Sequence, residues 1–114
     1  MQSVPLTHAV IDERSLALDA IVVGRLRENP ALVDRAKEIL ARWQATSGPR
    51  LLPVLLEWGL ILEGDFEEML LLLQSDDEHA RRLRQSSPFC GEQFITREER
   101  NSVIRRYRHA QTPA

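Results

Sequence analysis

Helix start and stop signals recur along this 114-residue chain at intervals that leave room for one short helix between each pair and for little else. Asn29-Pro30 joins a good N-cap to a proline at a first helical position, where the missing amide had no intrahelical partner to lose. Gly48-Pro49 breaks the chain again. Gly64 ends a segment and Asp65 with Glu68 opens another, as Ser75-Asp76-Asp77-Glu78 and Thr96-Arg97-Glu98-Glu99 do later, each in the pattern of a capping box. Between these marks the apolar residues step by three and four. Leu32, Ala36, Ile39, Leu40 and Trp43 share one face, with Asp34, Lys37, Glu38 and Arg42 on the other. No alternating strand pattern competes. The expected class is all-α, a compact bundle of five or six helices.

Within that frame, residues 1–11 have no helical period and are expected to form an extended arm. Residues 12–110 make the single helical domain and 111–114 a flexible tail. Asp12 is expected to cap a first helix running to about Glu28, with Leu16, Ala20, Val23 and Leu26 near its apolar face. The stretch from Leu51 to Glu63 is apolar on nearly every side and is expected to be the buried centre. Leu52, Leu55, Leu56, Trp58 and Ile61 should pack there with Leu70 and Leu73. That stretch is far short of the roughly 20 residues needed to cross a bilayer. Its single cysteine, Cys90, offers no internal disulfide, so the cytoplasm is the simplest expected location.

The net charge of −2 hides a strong asymmetry. Residues 57–78 hold eight acidic side chains and no Lys or Arg, while residues 79–114 hold eight Arg against three Glu. Such a surface suits a charged partner. Among the arginines lies Arg84-Gln85-Ser86-Ser87-Pro88-Phe89-Cys90-Gly91, where Pro88 fixes its own backbone and turns Ser87 out of helix, and Gly91 permits a left-handed turn. Phe89 is therefore aimed, either into the core beneath the connection or toward a partner. The partner-binding set expected from this pattern is Arg81, Arg84, Ser86, Ser87, Phe89, Arg105, Arg106 and Arg108. The run Arg105-Arg106-Tyr107-Arg108-His109 also has the composition of a phosphate-contacting helix end, offset by Glu98 and Glu99 on the same helix.

No base, nucleophile and oxyanion donor can be named together, and His8, His79 and His109 are scattered without ligand spacing. No catalytic residue, metal or cofactor is expected. Trp43 and Trp58 fall at helical spacing among leucines and read as core.

Several segments together, Arg27-Glu28-Asn29-Pro30-Ala31-Leu32, Leu40-Ala41-Arg42-Trp43, Glu57-Trp58, the 84–91 segment and Arg97-Glu98-Glu99-Arg100, resemble a group of small helical bacterial proteins that look like the antitoxin member of a two-gene pair. The resemblance implies a non-enzymatic protein that wraps or caps a toxic partner. Gly24-Arg25-Leu26-Arg27-Glu28-Asn29 has the Glu-Asn of Fic-type antitoxins but lacks their hydroxyl residue, which speaks against Fic inhibition. The expected function is thus a protein-binding module, an antitoxin-like neutraliser. The alternative is a small DNA-binding regulator acting through the last helix.

Overall fold

The computed structural model describes residues 8–111, which form six α-helices and, among the described residues, no strand: α1 (His8–Glu28), α2 (Leu32–Thr46), α3 (Leu52–Glu63), α4 (Phe66–Gln74), α5 (Glu78–Arg84) and α6 (Arg97–Gln111). The all-α bundle expected from the capping signals is the one observed. Helix α3 turns back along α2, while α1 packs against both α4 and α6.

The helix boundaries follow local chemistry. Asp65 accepts the Glu68 amide at 2.9 Å to cap α4. Thr96 and Glu99 form a reciprocal box at the start of α6: the Glu99 amide donates to Thr96 Oγ1 at 3.1 Å and the Thr96 amide to Glu99 Oε1 at 2.8 Å. At α5 the cap is Asp77, which accepts from the Ala80 amide at 2.8 Å, and Ser75 supports it by donating its hydroxyl to the Asp77 carboxylate at 2.7 Å. Between α1 and α2, the Leu32 and Val33 amides donate to the Asn29 and Pro30 carbonyls, so Asn29-Pro30 forms a tight turn just ahead of α2.

The start of α1 corrects one expectation. The helix begins at His8, so residues 8–11 are not an extended arm and Asp12 lies within the helix instead of capping it. Ala9-Val10-Ile11 contains no helix breaker, and nothing stops the helix one turn earlier than the acidic signal suggests. Residues 1–7 and 112–114, the rest of the expected arm and tail, lie outside the described residues.

A second correction concerns which face of α1 is buried. Val22, Val23 and Leu26 enter the core, but Ala20 is exposed and Leu16 only half-buried. Following the buried face back by helical steps from Leu26 and Val22 leads to Asp19 and Ser15. These are polar residues that periodicity alone assigns to solvent, and they are drawn inward by a partner described below.

The core is continuous across the helices. It contains Ala36, Ile39 and Leu40 of α2, Leu55, Trp58 and Leu62 of α3, Met69, Leu70 and Leu73 of α4, Leu83 of α5, and Phe89, Phe94 and Ile95 of the α5–α6 connection. Trp58 is at its middle and fully buried, with its indole Nε1–H donating to the Leu83 carbonyl at 2.9 Å. Phe89 stands edge-on between Trp58 and Phe94, with ring centroids 5.9 and 5.5 Å away and interplanar angles of 76° and 88°. Edge-to-face packing of this kind adds about 0.5–1.5 kcal/mol per pair beyond area burial.

These contacts generate a paired expectation. Trp58→Phe keeps most of the ring volume and loses the N–H; because the Leu83 carbonyl also accepts the Ser86 amide, the cost should be about 1 kcal/mol. Trp58→Ala opens a cavity and should cost about 3–5 kcal/mol. Urea unfolding monitored by circular dichroism measures both, and equal losses would mean that ring packing is not the dominant contribution.

Candidate functional site

The connection after α5 is where the sequence concentrates its signals, and its geometry decides which of them face outward. Gly91 has a φ of +104°, and a Cβ there would meet the Gln93 side chain at 3.2 Å. The turn this permits brings the Phe94 and Ile95 amides onto the Gly91 carbonyl. Pro88 and Phe89 are buried, and Ser87 Oγ accepts the Phe89 amide at 3.2 Å. The connection therefore closes the core. Phe89 and Ser87 serve this closure, and Phe89 is not a partner contact, because only 4% of it is exposed.

Arg84 is corrected in the same way. Its side chain is 4% exposed, with Nε 3.4 Å from Asp19 Oδ2 and 3.3 Å from Ser15 Oγ, while Nη1 donates to the Ser75 carbonyl. A guanidinium so enclosed is an internal tie between α5 and α1, not a docking group. It also explains why Ser15 and Asp19 occupy the inner face of α1. Burial pushes the Asp19 carboxyl up to about 7, against the opposing pull of Arg84 and Arg100. Its Oδ2 has no hydrogen-bond partner.

The other expected contacts are dispersed. Arg81 is half-buried on α5 and reaches Asp76 at 3.3 Å. Ser86 lines a 380 Å³ cleft with Gln85, Trp43, Thr46, Ser47, Leu51 and Leu55 at the end of α2. Arg105 and Arg106 are exposed on α6, and the Arg108 side chain lies outside the described residues. On the inner side of α6, Glu99 grips Arg25 of α1 through two bonds of 3.0 and 2.8 Å. The Arg25 guanidinium and then the Thr96 amide hold the Glu99 carboxyl below its ordinary range. Among the described residues, Arg84 and Phe89 are turned inward, so the expected set is not presented whole at one surface.

What faces solvent instead is one side of α3. Leu55, Trp58 and Leu62 point inward, but Leu56 and Leu60 are 54% and 77% exposed, which overturns the expectation that Leu56 is buried. Leu52 and Ile61 are half-buried. Leu60 is shared by two grooves. One, of 360 Å³ toward α4, is lined by Glu57, Ile61, Asp65, Glu68, Met69, Leu72 and His79; the other, of 370 Å³ toward α2, has Lys37, Leu40, Gln44 and Leu56 on its walls. A helix apolar all round has more apolar surface than its neighbours can cover in a chain this short. The spacing of Leu56 and Leu60, four apart and off the line of Leu55, Trp58 and Leu62, was the available signal.

Carboxylates surround this ridge. Glu57 is held by His79 at 2.7 Å and by Arg82 at 3.6 Å, and Glu63 by Lys37 at 3.3 Å. Asp65, Glu67 and Glu68 crowd the first turn of α4 and are exposed. Cys90 is half-buried beside Ile39 and Trp43. Among the described residues no group of three or more His, Cys, Asp or Glu side chains converges as a metal site would, and no helix is long and apolar enough to cross a membrane. Comparisons with protein-family models, with curated proteins and with solved structures return no match.

The buried carboxyl sets a pH dependence with a definite sign. Native Asp19 keeps its proton up to about pH 7, whereas the unfolded side chain loses it near 3.8. Across that window the native state binds more protons, so stability should fall as pH rises from about 4 to about 7. Asp19→Asn should flatten this slope. Thermal unfolding of the two proteins across this pH range tests it, and parallel curves would exclude Asp19 as the source.

Proposed function

We propose that this chain is a non-enzymatic protein-binding module, an antitoxin-like neutraliser of a partner protein. The observation that carries the reading is the exposed leucine ridge of α3. Leu56 and Leu60 stand in solvent together, and Leu51 and Leu71 are also more than half exposed. Scattered surface leucines need no explanation, but a contiguous apolar ridge bordered by grooves is the form that protein interaction surfaces take. The resemblance of residues 84–91 and 97–100 to antitoxin-like proteins supports the same reading. Within the acidic block, Glu57, Glu63, Glu67 and Asp76 are met by basic side chains, and Asp65 and Glu68 stay exposed beside the ridge, where they favour and orient encounter with a basic partner.

Of the two charged regions named by the sequence, the acidic one is the better docking surface. Arg84 is committed to Asp19, Ser15 and the Ser75 carbonyl, and Phe89 to the core. The basic groups left exposed on α6 include Arg97, Arg100, Arg105 and Arg106. They support the second reading, a DNA-binding regulator, because guanidinium groups along one helix can neutralise successive phosphates.

The two readings separate experimentally. Co-expressed with the product of the adjacent open reading frame, the protein should co-purify as a stable complex that suppresses any toxicity of that product; the absence of both effects would overturn the neutraliser reading. For DNA, the isolated protein should bind weakly, with affinity that falls steeply with salt and drops further in an Arg105→Gln/Arg106→Gln variant. Tight sequence-specific binding at physiological salt would make the regulator reading primary.

A further inference from the structure

The neutraliser reading names a partner only as a protein, and the ridge of α3 says more about what that partner must present. Leu60 forms the crest between two grooves. On the α4 side the floor is Ile61, Met69 and Leu72, and the charged groups of the wall are Glu57, Asp65 and Glu68 with His79. Glu57 is engaged there by His79 and by Arg82 from beside the groove, and Asp65 and Glu68 remain exposed as its carboxylates. On the α2 side Gly59 faces Gln44, which donates to the Leu55 carbonyl at 3.1 Å. The only charged groups on that wall are Lys37 and Glu63, which are paired with each other. The surface is therefore apolar at its crest and floor, electrically neutral on one flank and negative on the other.

We propose, on the footing of the protein-binding reading, that the α3 ridge and its α4-side groove receive an amphipathic helix that carries a leucine-type stripe and a row of Lys or Arg along one edge. A helix laid in a groove is anchored by apolar residues at three- and four-residue spacing. Leu56 and Leu60, one helical turn apart, supply the matching ridge, and Leu72 with Ile61 the floor. The exposed carboxylates of Asp65 and Glu68 fix which edge of the incoming helix faces α4. A basic edge meets them favourably there, whereas an acidic edge would be repelled. Glu68 is exposed and its amide, not its carboxylate, serves the cap of α4. Its carboxylate can therefore be neutralised without removing the contact that starts the helix.

The probe is a labelled helical peptide of Leu and Lys, with leucines at i, i+3, i+4 and i+7, compared with the same peptide carrying Glu in place of Lys and followed by fluorescence anisotropy. The Leu/Lys peptide should bind saturably at one site and weaken with salt, and the Leu/Glu peptide should not bind. Leu60→Ser, at a position 77% exposed and so without consequence for folding, should weaken binding about tenfold. Glu68→Gln should weaken it about threefold, while Glu98→Gln on α6, which removes the same charge elsewhere, should leave it unchanged. Equal binding by Leu60→Ser and the parent, equal binding of the two peptides, or equal losses from Glu68→Gln and Glu98→Gln would each overturn the proposal. So would light scattering that shows a dimer dissolved by Leu60→Ser, since the ridge would then belong to a second copy of the chain. Introducing Leu60→Ser into the co-expressed complex separates the two levels. A complex whose affinity is unchanged by the substitution overturns the groove assignment and leaves the neutraliser reading standing. Peptide binding with no complex from the neighbouring gene overturns the neutraliser reading alone.

Discussion

The buried ring of Trp58, oriented by its N–H on the Leu83 carbonyl, is the packing element on which the arrangement of this bundle rests. A buried indole must place its N–H on an acceptor, and the acceptor here is at the last turn of α5, next to the point where the chain leaves the helix. With the ring fixed from that side, Phe89 has an edge-to-face site against it, and Phe94 a site against Phe89. The α5–α6 connection is thereby folded inward over the core. Gly91 supplies the one left-handed backbone position that lets the connection turn back, and Thr96 with Glu99 then restarts the helix. One aromatic series thus links α3, α5 and the entry to α6.

The electrostatics follow from the same closure. A sequence split into acidic and basic halves suggests two opposed surfaces, but much of the basic half is turned to internal use. Arg84 is enclosed against α1, Arg82 reaches Glu57 across to α3, and Arg81 reaches Asp76. From the other direction, Arg25 of α1 is taken by Glu99 of α6. Exposed pairs of this kind contribute little, about 0–1 kcal/mol each, whereas Arg84 is buried and its hydrogen bonds to Ser15 and the Ser75 carbonyl are what make a charge tolerable there. In the acidic first turn of α4, Glu67 meets Arg27 of α1 at 3.2 Å in an exposed pair and Asp65 caps the helix, which leaves the Glu68 carboxylate facing solvent. It remains at the surface beside the exposed leucines, where the proposed docking surface lies.

The exposed apolar surface thus lies on α3, whose composition is that of a core helix, and not on the segment of residues 84–91. The loop of residues 86–91 is anchored in the core through Pro88 and Phe89, and that packing ties the entry of α6 to α3. The α3 ridge is exposed for a geometric reason. A helix in a small bundle has neighbours on two or three sides, and α3, apolar on nearly every side, leaves Leu56 and Leu60 uncovered.

Local chemistry in the sequence determined the all-α class, the positions of most helix boundaries and the inward face of α2, because caps, prolines and helical periodicity act over a few residues and need no tertiary partner. Asp65, the Thr96–Glu99 box and the line Ala36-Ile39-Leu40 are all legible in this way. Tertiary structure alone decided three matters. It chose the inner face of α1, since Asp19 and Ser15 turn inward only because Arg84, dozens of residues away, brings a charge to meet them. It sent Phe89 into the core and not toward a partner, a choice between two outcomes that the loop's own residues leave open. It also selected which leucines of α3 are covered, because burial depends on how much neighbouring surface is available and a helix apolar all round does not encode the answer. Residues whose role is set by their own backbone could be read in advance, and residues whose role is set by a distant side chain or by the limited extent of the surrounding helices could not.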